Sequence, residues 1–392
     1  MKIVFAIPSL FPFGVPYSSR ALNFCRLLRD CGHEVVLFCD YLSEKELKKE
    51  NGVASFEGIE IRYVTDERNI LDKATVMYRT PHNLDQYIAK NRVDLLFTSS
   101  VSNRIERIIK IGRKHNLPIM LESCEKFHPS NWKYGKYDYR YLRFKHCWDK
   151  VYCQADGVIA ISRFLQQHFQ DHDIATIRIP TILDVSSREW SSKRSHDDDI
   201  IRFVFAGGLG GGKDRVAEMI EAISLLPDEK RRRIQFNIYG PSKDAVAAQL
   251  GNKVDLLERI KENVLIHGRV PQQQIPQIVM ENDFGIILRP ERESSNAGFP
   301  TKLAECMEVG TPIFANQTGD IELYVKDGIT GYVVDDPSTE AIRRALEKVL
   351  LLNDEDLTQM RNKTRQMAET SFDYRKYSGE VETLLESLCK DK

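Results

Sequence analysis

Two short stretches of this chain carry residue types suited to holding a phosphorylated ligand. The first is Gly207-Gly208-Leu209-Gly210-Gly211-Gly212-Lys213-Asp214, which follows the apolar run IRFVFA and precedes a helical pattern from Arg215 to Leu226. Glycines let backbone N–H groups approach an anion closely, and a following helix N-terminus adds a favourable dipole. The spacing is neither a Walker A loop nor a dinucleotide fingerprint, so a ligand-free connection is the competing reading. The second stretch is RPERESSNAGFPTKLAECMEVGTPIFA, where Gly298-Phe299-Pro300 turns the chain into a helix bearing Thr301, Lys302 and Glu305. Proline suits a first helical turn, Lys302 brings a point charge, and Glu305 falls on the same face one turn later. Such a pair suits a diphosphate and a ribose; an i,i+3 ion pair on a solvated helix is the alternative.

The elements that must position these groups read as two repeats of one pattern. KIVFAI, EVVLFC, DLLFTSS, PIMLES and GVIAIS in the first half, and IRFVFAGG, IQFNIYG, VLIHGRV, FGIILRP, TPIFAN and GYVVDD in the second, are apolar runs separated by helical periodicity. Runs of this kind predict buried parallel strands. The polar stretch SSREWSSKRSHDDD between them lacks apolar periodicity and reads as a linker. The expected fold class is therefore α/β, with two doubly wound Rossmann-like domains facing across a cleft. The first spans 1–185, the linker 186–199 and the second 200–370, while a C-terminal helix over 371–392 crosses back. Ligands in such sheets bind at the carboxyl ends of the strands.

Composition narrows the partners. The 392 residues carry a formal charge of −1. Residues 1–190 hold 28 Lys and Arg against 23 Asp and Glu, and the remainder 28 against 34. That asymmetry is too small for a nucleic-acid protein. The eight cysteines form no CxxC pair and no Cys/His grouping at zinc spacing. The N-terminal MKIVFAIPSLF reads as a strand and not as a signal peptide, which places the chain in the cytoplasm. Residues 131–152 interleave eight aromatics with six Lys or Arg. Helix packing is the first reading of that segment, docking on the inner membrane face the second, and stacking on RNA the third. Asp197 to Asp199 precede a strand and read as solvated linker, not as a metal site.

From Gly298 to Ala315, and on through IELYVKDGITGYVVDDPSTEAI, the sequence resembles the C-terminal domain of retaining GT-B glycosyltransferases of family 4. The shared features are the turn at Gly298, the helix ending at Glu305, Gly310 with Pro312, and Asp327 to Gly331. GHEVV, ADGVIAIS and the PTILD exit extend the resemblance over nearly the whole chain. It implies transfer of a hexosyl-type sugar, with retention, from a nucleotide-diphosphate donor to a saccharide, lipid-linked or protein-linked hydroxyl. Cell-surface polysaccharide or glycoconjugate synthesis is the implied setting, with no cofactor and no required metal. Donor contacts would fall on Gly14, Gly208, Lys213, Arg289, Gly298, Phe299, Pro300, Thr301, Lys302 and Glu305, with Arg20 on the acceptor side. The family's sugar-contacting histidine corresponds to the region of Glu125 and His128.

Two departures from the family pattern stand out. Ala297 occupies the place of a first glutamate, in the variant F-P-T-K-L-x-E of some capsule and cell-surface enzymes. Gly208 stands where members carry an arginine, for which Arg289 is a substitute. A nucleotide-sugar epimerase of the same architecture, or a non-catalytic nucleotide-sugar-binding subunit, are the alternatives.

Overall fold

The computed structural model describes residues 1–43, 49–50, 52–65, 70–100, 104–209 and 212–389. The chain divides into two units: Met1–Leu183 together with the segment from Tyr374, and Asp184–Asp373.

Among the described residues the first unit holds a ten-stranded sheet. Its strands are β1 (Lys2–Ala6), β2 (Leu10–Phe11), β3 (Glu34–Leu42), β4 (Lys49–Glu50), β5 (Val53–Phe56), β6 (Ile59–Thr65), β7 (Leu95–Ser99), β8 (Ile119–Ser123), β9 (Gly157–Ala160) and β10 (Ala175–Arg178). They run in the order β10-β9-β8-β7-β1-β3-β6-β5-β4, with β2 beside β3. The pairings are parallel except for β4 with β5 and β5 with β6. Apolar residues alternate across this sheet. Ile3 and Phe5 pack with Leu22, Cys25 and Leu28 of the helix Pro16–Asp30, while Val4, Ala6 and Val36 pack with Leu84 and Ile108 on the other face. Both faces are covered, which is why the sequence shows continuous apolar runs instead of strict alternation.

The second unit repeats the logic with β11 (Ile201–Ala206), β12 (Ile234–Tyr239), β13 (Val264–Gly268), β14 (Phe284–Ile287), β15 (Ile313–Asn316) and β16 (Gly331–Val334). These pair in parallel in the order β13-β12-β11-β14-β15-β16. The chain winds outward from β11 to β13, then returns and winds the other way from β14. The connections on the two sides of β11 and β14 therefore part company at their carboxyl ends, which creates a crevice there.

Residues 186–199, expected as a linker, pack onto the second unit. Arg188 pairs with the buried Glu308 at 3.0 Å, Arg194 with the buried Asp283 at 3.0 Å, and Trp190 lies against Gly310. Arg361, itself buried, donates to the Ser191 carbonyl at 3.1 Å. Asp198 accepts both Nη groups of Arg202, at 2.7 and 2.8 Å, and that hydrogen bonding holds its carboxyl down at about 2. The cysteine spacings carry no metal signature, but folding gathers Cys153, His168 and His172 so that one ligand atom of each lies within 4.8 Å of the others.

Candidate active site

At the switch point of the second sheet, β11 ends at Ala206 and the Gly207 N–H donates to the Tyr239 carbonyl at 3.0 Å. Gly240 makes this approach possible. Its φ is 108°, and a Cβ there would sit 2.3 Å from the Gly207 oxygen. The far end of the glycine-rich loop is tied to the other side of the crevice, because the Arg215 N–H donates to the Leu288 carbonyl at 2.9 Å. Of the loop itself, Gly208 is exposed and Lys213 half-buried, while Gly210 and Gly211 lie outside the described residues.

Between these anchors sits Asp214, a buried carboxylate that the sequence reading did not single out. Its Oδ1 accepts from Lys302 Nζ at 3.0 Å, and Arg289 Nε stands 3.9 Å from the same oxygen. Lys302 Nζ also lies 3.9 Å from the centroid of the Phe205 ring, and its side chain runs close enough to Gly207 that a Cβ there would sit 3.3 Å from it. Burial lowers the Lys302 pKa and Arg289 lowers it further, against the opposing pull of Asp214. Arg289 is held by its backbone: its N–H donates to Asn316 Oδ1 at 2.7 Å and its carbonyl accepts from Asn316 Nδ2 at 2.8 Å. Lys302 and Arg289 thus flank one carboxylate at the mouth of the crevice.

The helix Thr301–Glu308 brings Lys302 and Glu305 to this place. Pro300 is its N-cap, no side chain caps it, and its first turn holds no acidic residue. Its leading N–H groups and positive dipole end are therefore not offset by a carboxylate of the first turn. Phe299 fixes the entry, buried against Tyr324 and Phe372 with ring centroids 5.6 and 5.8 Å away. Gly298 closes the preceding short helix, Glu293–Ala297, whose Ala297 is fully buried. Leu303, Ala304 and Met307 pack inward, and Gly285 of β14 lets Cys306 approach the sheet, since a Cβ there would lie 2.4 Å from its Sγ. Val204, Ile275, Val279 and Ile286 form an apolar floor beside Lys302 and Glu305.

Glu305 is half-buried over that floor. No hydrogen bond or salt bridge joins its carboxylate to another described residue. Burial raises its pKa, while the nearby charges of Lys302 and Arg188 oppose the rise. A desolvated carboxylate with open lone pairs, one helical turn from an ammonium, is suited to accept from hydroxyl groups of a ligand whose anionic part sits at Lys302.

The remaining expected site residues belong to the first unit. Gly14 is exposed in the loop before the helix Pro16–Asp30, with φ of 109°. Glu125 and His128 follow the carboxyl end of β8; Glu125 is half-buried, and the exposed His128 ring engages Ser130 Oγ at 2.8 Å and accepts from its N–H. Arg20, expected to face an acceptor, is instead 3% exposed. Its Nε donates to Glu122 at 2.6 Å, and its Nη groups donate to the Pro180 and Ile179 carbonyls. That commitment ties the first helix to β8 and to the chain after β10. Glu122, not singled out from sequence, is fully buried, and its Oε2 has no hydrogen-bond partner among the described residues.

Comparison with known proteins accords with this arrangement. Residues 186–367 match the family model for glycosyl transferases group 1, and residues 18–185 match that for glycosyltransferase family 4, which together cover most of the chain. An uncharacterized 41.2 kDa protein in the cps region of Klebsiella pneumoniae is 24% identical over 57% of this chain, and the match spans 59% of that protein. A sucrose-phosphate synthase from Thermosynechococcus elongatus superimposes with a TM-score of 0.73 at 12% identity over all of both chains. HepE of Anabaena, solved with UDP and glucose, gives 0.68 at 14% identity over 99% of this chain and 100% of its own. A glycosyltransferase from Rickettsia africae gives 0.69 at 15% identity over 100% of this chain and 99% of its own. With both halves matched by family models and the whole chain sharing this two-domain architecture, the protein belongs to the family 4 glycosyltransferases of the GT-B fold.

Proposed function

We propose that this chain transfers a hexosyl-type sugar from a nucleotide-diphosphate donor to a hydroxyl acceptor, with retention of anomeric configuration. The carrying observation is the set of Lys302, Arg289 and Asp214 beneath the Gly207 loop, at an uncapped helix start, with Glu305 one turn further on. Lys302, Arg289, Lys213 and the N–H groups around Thr301 receive the diphosphate, and Glu305 accepts from the ribose hydroxyls. In the reaction the bond from the anomeric carbon to the diphosphate oxygen breaks. The acceptor oxygen bonds to that carbon on the same face, and the acceptor proton passes to the departing phosphate. Fixed positive charge aimed at the leaving group supplies stabilisation where negative charge grows. No divalent metal is required in this reading. The HepE structure with UDP and glucose supports the donor class.

The acceptor is a saccharide, lipid-linked or protein-linked hydroxyl in cell-surface polysaccharide or glycoconjugate synthesis. Tyr134, Tyr137, Tyr139 and Leu142 are exposed beside Lys133 and Lys136, which supports peripheral contact with an anionic membrane.

The test is a panel of nucleotide-diphosphate sugars, offered to the full chain with and without hydroxyl acceptors, read by thermal shift and by mass of the product. One donor should raise Tm by mass action and be consumed only when an acceptor is present. An epimerised donor formed without acceptor would instead identify an isomerase. Binding that never leads to turnover would identify a non-catalytic subunit, the reading that Ala297 keeps open.

A further inference from the structure

Cys153 lies in the short turn Tyr152–Gln154 ahead of β9, and His168 and His172 lie at the end of the helix Arg163–Gln170 and just beyond it. The spacing C-x14-H-x3-H is not a zinc signature. A strand followed by a helix that packs back on the sheet nonetheless returns the helix end to the place where the strand began. One ligand atom from each side chain lies within 4.8 Å of the others. Tetrahedral zinc, with bonds of about 2.0–2.3 Å, sets its ligands roughly 3.3–3.8 Å apart. The half-buried Cys153 and exposed His172 can close that difference by side-chain rotation.

Two further observations point to a ligand at this cluster. His172 Nδ1 stands 2.8 Å from the His168 carbonyl. A ring N–H donated there leaves Nε2 as the nitrogen with a free lone pair, the tautomer that hydrogen-bonded carbonyls fix in metal-binding histidines. The His168 ring is fixed by stacking on Trp148, with centroids 4.1 Å apart and planes at 23°. Its Nε2 is buried and has no hydrogen-bond partner among the described residues. Both histidines also stand at the carboxyl end of a helix, where the dipole favours a cation. Lys126, 4.8 Å from the Trp148 ring centroid, opposes a cation here, and Asp149 and Asp171 counter it.

We propose that Cys153, His168 and His172 bind one zinc ion, with a solvent water as the fourth ligand, and that the ion braces the helix Arg163–Gln170 against the turn before β9. One thiolate and two imidazoles suit zinc and not the oxygen-seeking Mg²⁺ or Ca²⁺. The three residues sit where β9 and β10 begin, whereas Glu125 and His128 follow the carboxyl end of β8. The ion therefore serves stability and takes no part in sugar transfer. Binding replaces the Cys153 S–H bond by an S–Zn bond and releases the proton to solvent.

The test uses metal-stripped full-length chain titrated with Co²⁺ as an optical probe, then with Zn²⁺ in competition and in thermal melts. One equivalent of Co²⁺ should give a thiolate charge-transfer band with tetrahedral ligand-field bands, and Zn²⁺ should erase them and raise Tm. Cys153→Ser should abolish the charge-transfer band. His172→Ala, an exposed change that leaves the core intact, should weaken Co²⁺ binding at least tenfold and remove the Zn²⁺-dependent rise in Tm. Absence of the thiolate band in the parent chain, or an unchanged metal response in Cys153→Ser and His172→Ala, would overturn the site.

Discussion

Lys302 is the residue on which donor binding should depend most, because it joins the Gly207 loop, Asp214 and the start of its own helix. Truncating one member of a desolvated charge pair costs about 2–5 kcal/mol. Lys302→Ala should therefore lower transfer efficiency at least about tenfold, or roughly 1.4 kcal/mol, while far-UV circular dichroism stays that of the parent. A smaller loss would remove Lys302 from the phosphate site. Glu305→Gln keeps shape but loses charge, and charge-assisted hydrogen bonds are about twice as strong as neutral ones. Since burial raises the Glu305 pKa, donor affinity should fall as pH drops through that raised value, where the carboxyl takes up a proton. The fall should vanish in Glu305→Gln; an identical pH profile in both proteins would assign Glu305 to the helix alone. Lys302 and Glu305 were legible because motif and helical spacing put them on one face. Asp214 was not, because its partners come from residues 289 and 302, and no local pattern links them. Arg20 misled for the same reason: the carboxylate that buries it lies 102 residues away.

At the scale of elements, helix Thr301–Glu308 must lie close to β14 for Lys302 and Glu305 to reach the crevice, and Gly285 sets that distance. Overpacking a core by a methyl group costs about 1–3 kcal/mol. Gly285→Ala should lower Tm and weaken donor binding together, and adding Cys306→Ala should restore both by freeing the space that Sγ fills. Restoration of stability without donor affinity would separate helix position from binding. Glu308, at the far end of the same helix, is buried, and that burial pushes its pKa up to about 7 despite the Arg188 ion pair. The folded protein thus holds a proton that the unfolded chain has lost between about pH 4.5 and pH 7. Stability from this group is present at low pH, falls as pH rises through that window, and the cost is complete above it, at most about 3 kcal/mol. Urea unfolding should show that slope, and Glu308→Gln should flatten it. The parallel strands were legible as apolar runs. The packing of residues 186–199 was not, because a polar stretch with no periodicity is held by distant partners such as Asp283 and Arg361.

For the whole molecule, the repeated winding gives each unit its own core and its own switch point at the carboxyl ends of the strands. No helix among the described residues is long and apolar enough to cross a membrane. The second unit carries Lys302 and Arg289 beside Asp214 and the open Glu305 carboxylate, and we propose that it takes a nucleotide-diphosphate sugar by fixed charge, without a divalent ion. Calorimetric titration of the full chain with nucleotide-diphosphate sugars, uridine donors first, in excess EDTA and below the melting temperature, tests this most directly. Saturable one-to-one binding of at least one donor is expected, weakened at least about tenfold in Lys302→Ala, a loss of roughly 1.4 kcal/mol. Binding that appears only when Mg²⁺ or Mn²⁺ is supplied, or that is equally tight in Lys302→Ala, would contradict it.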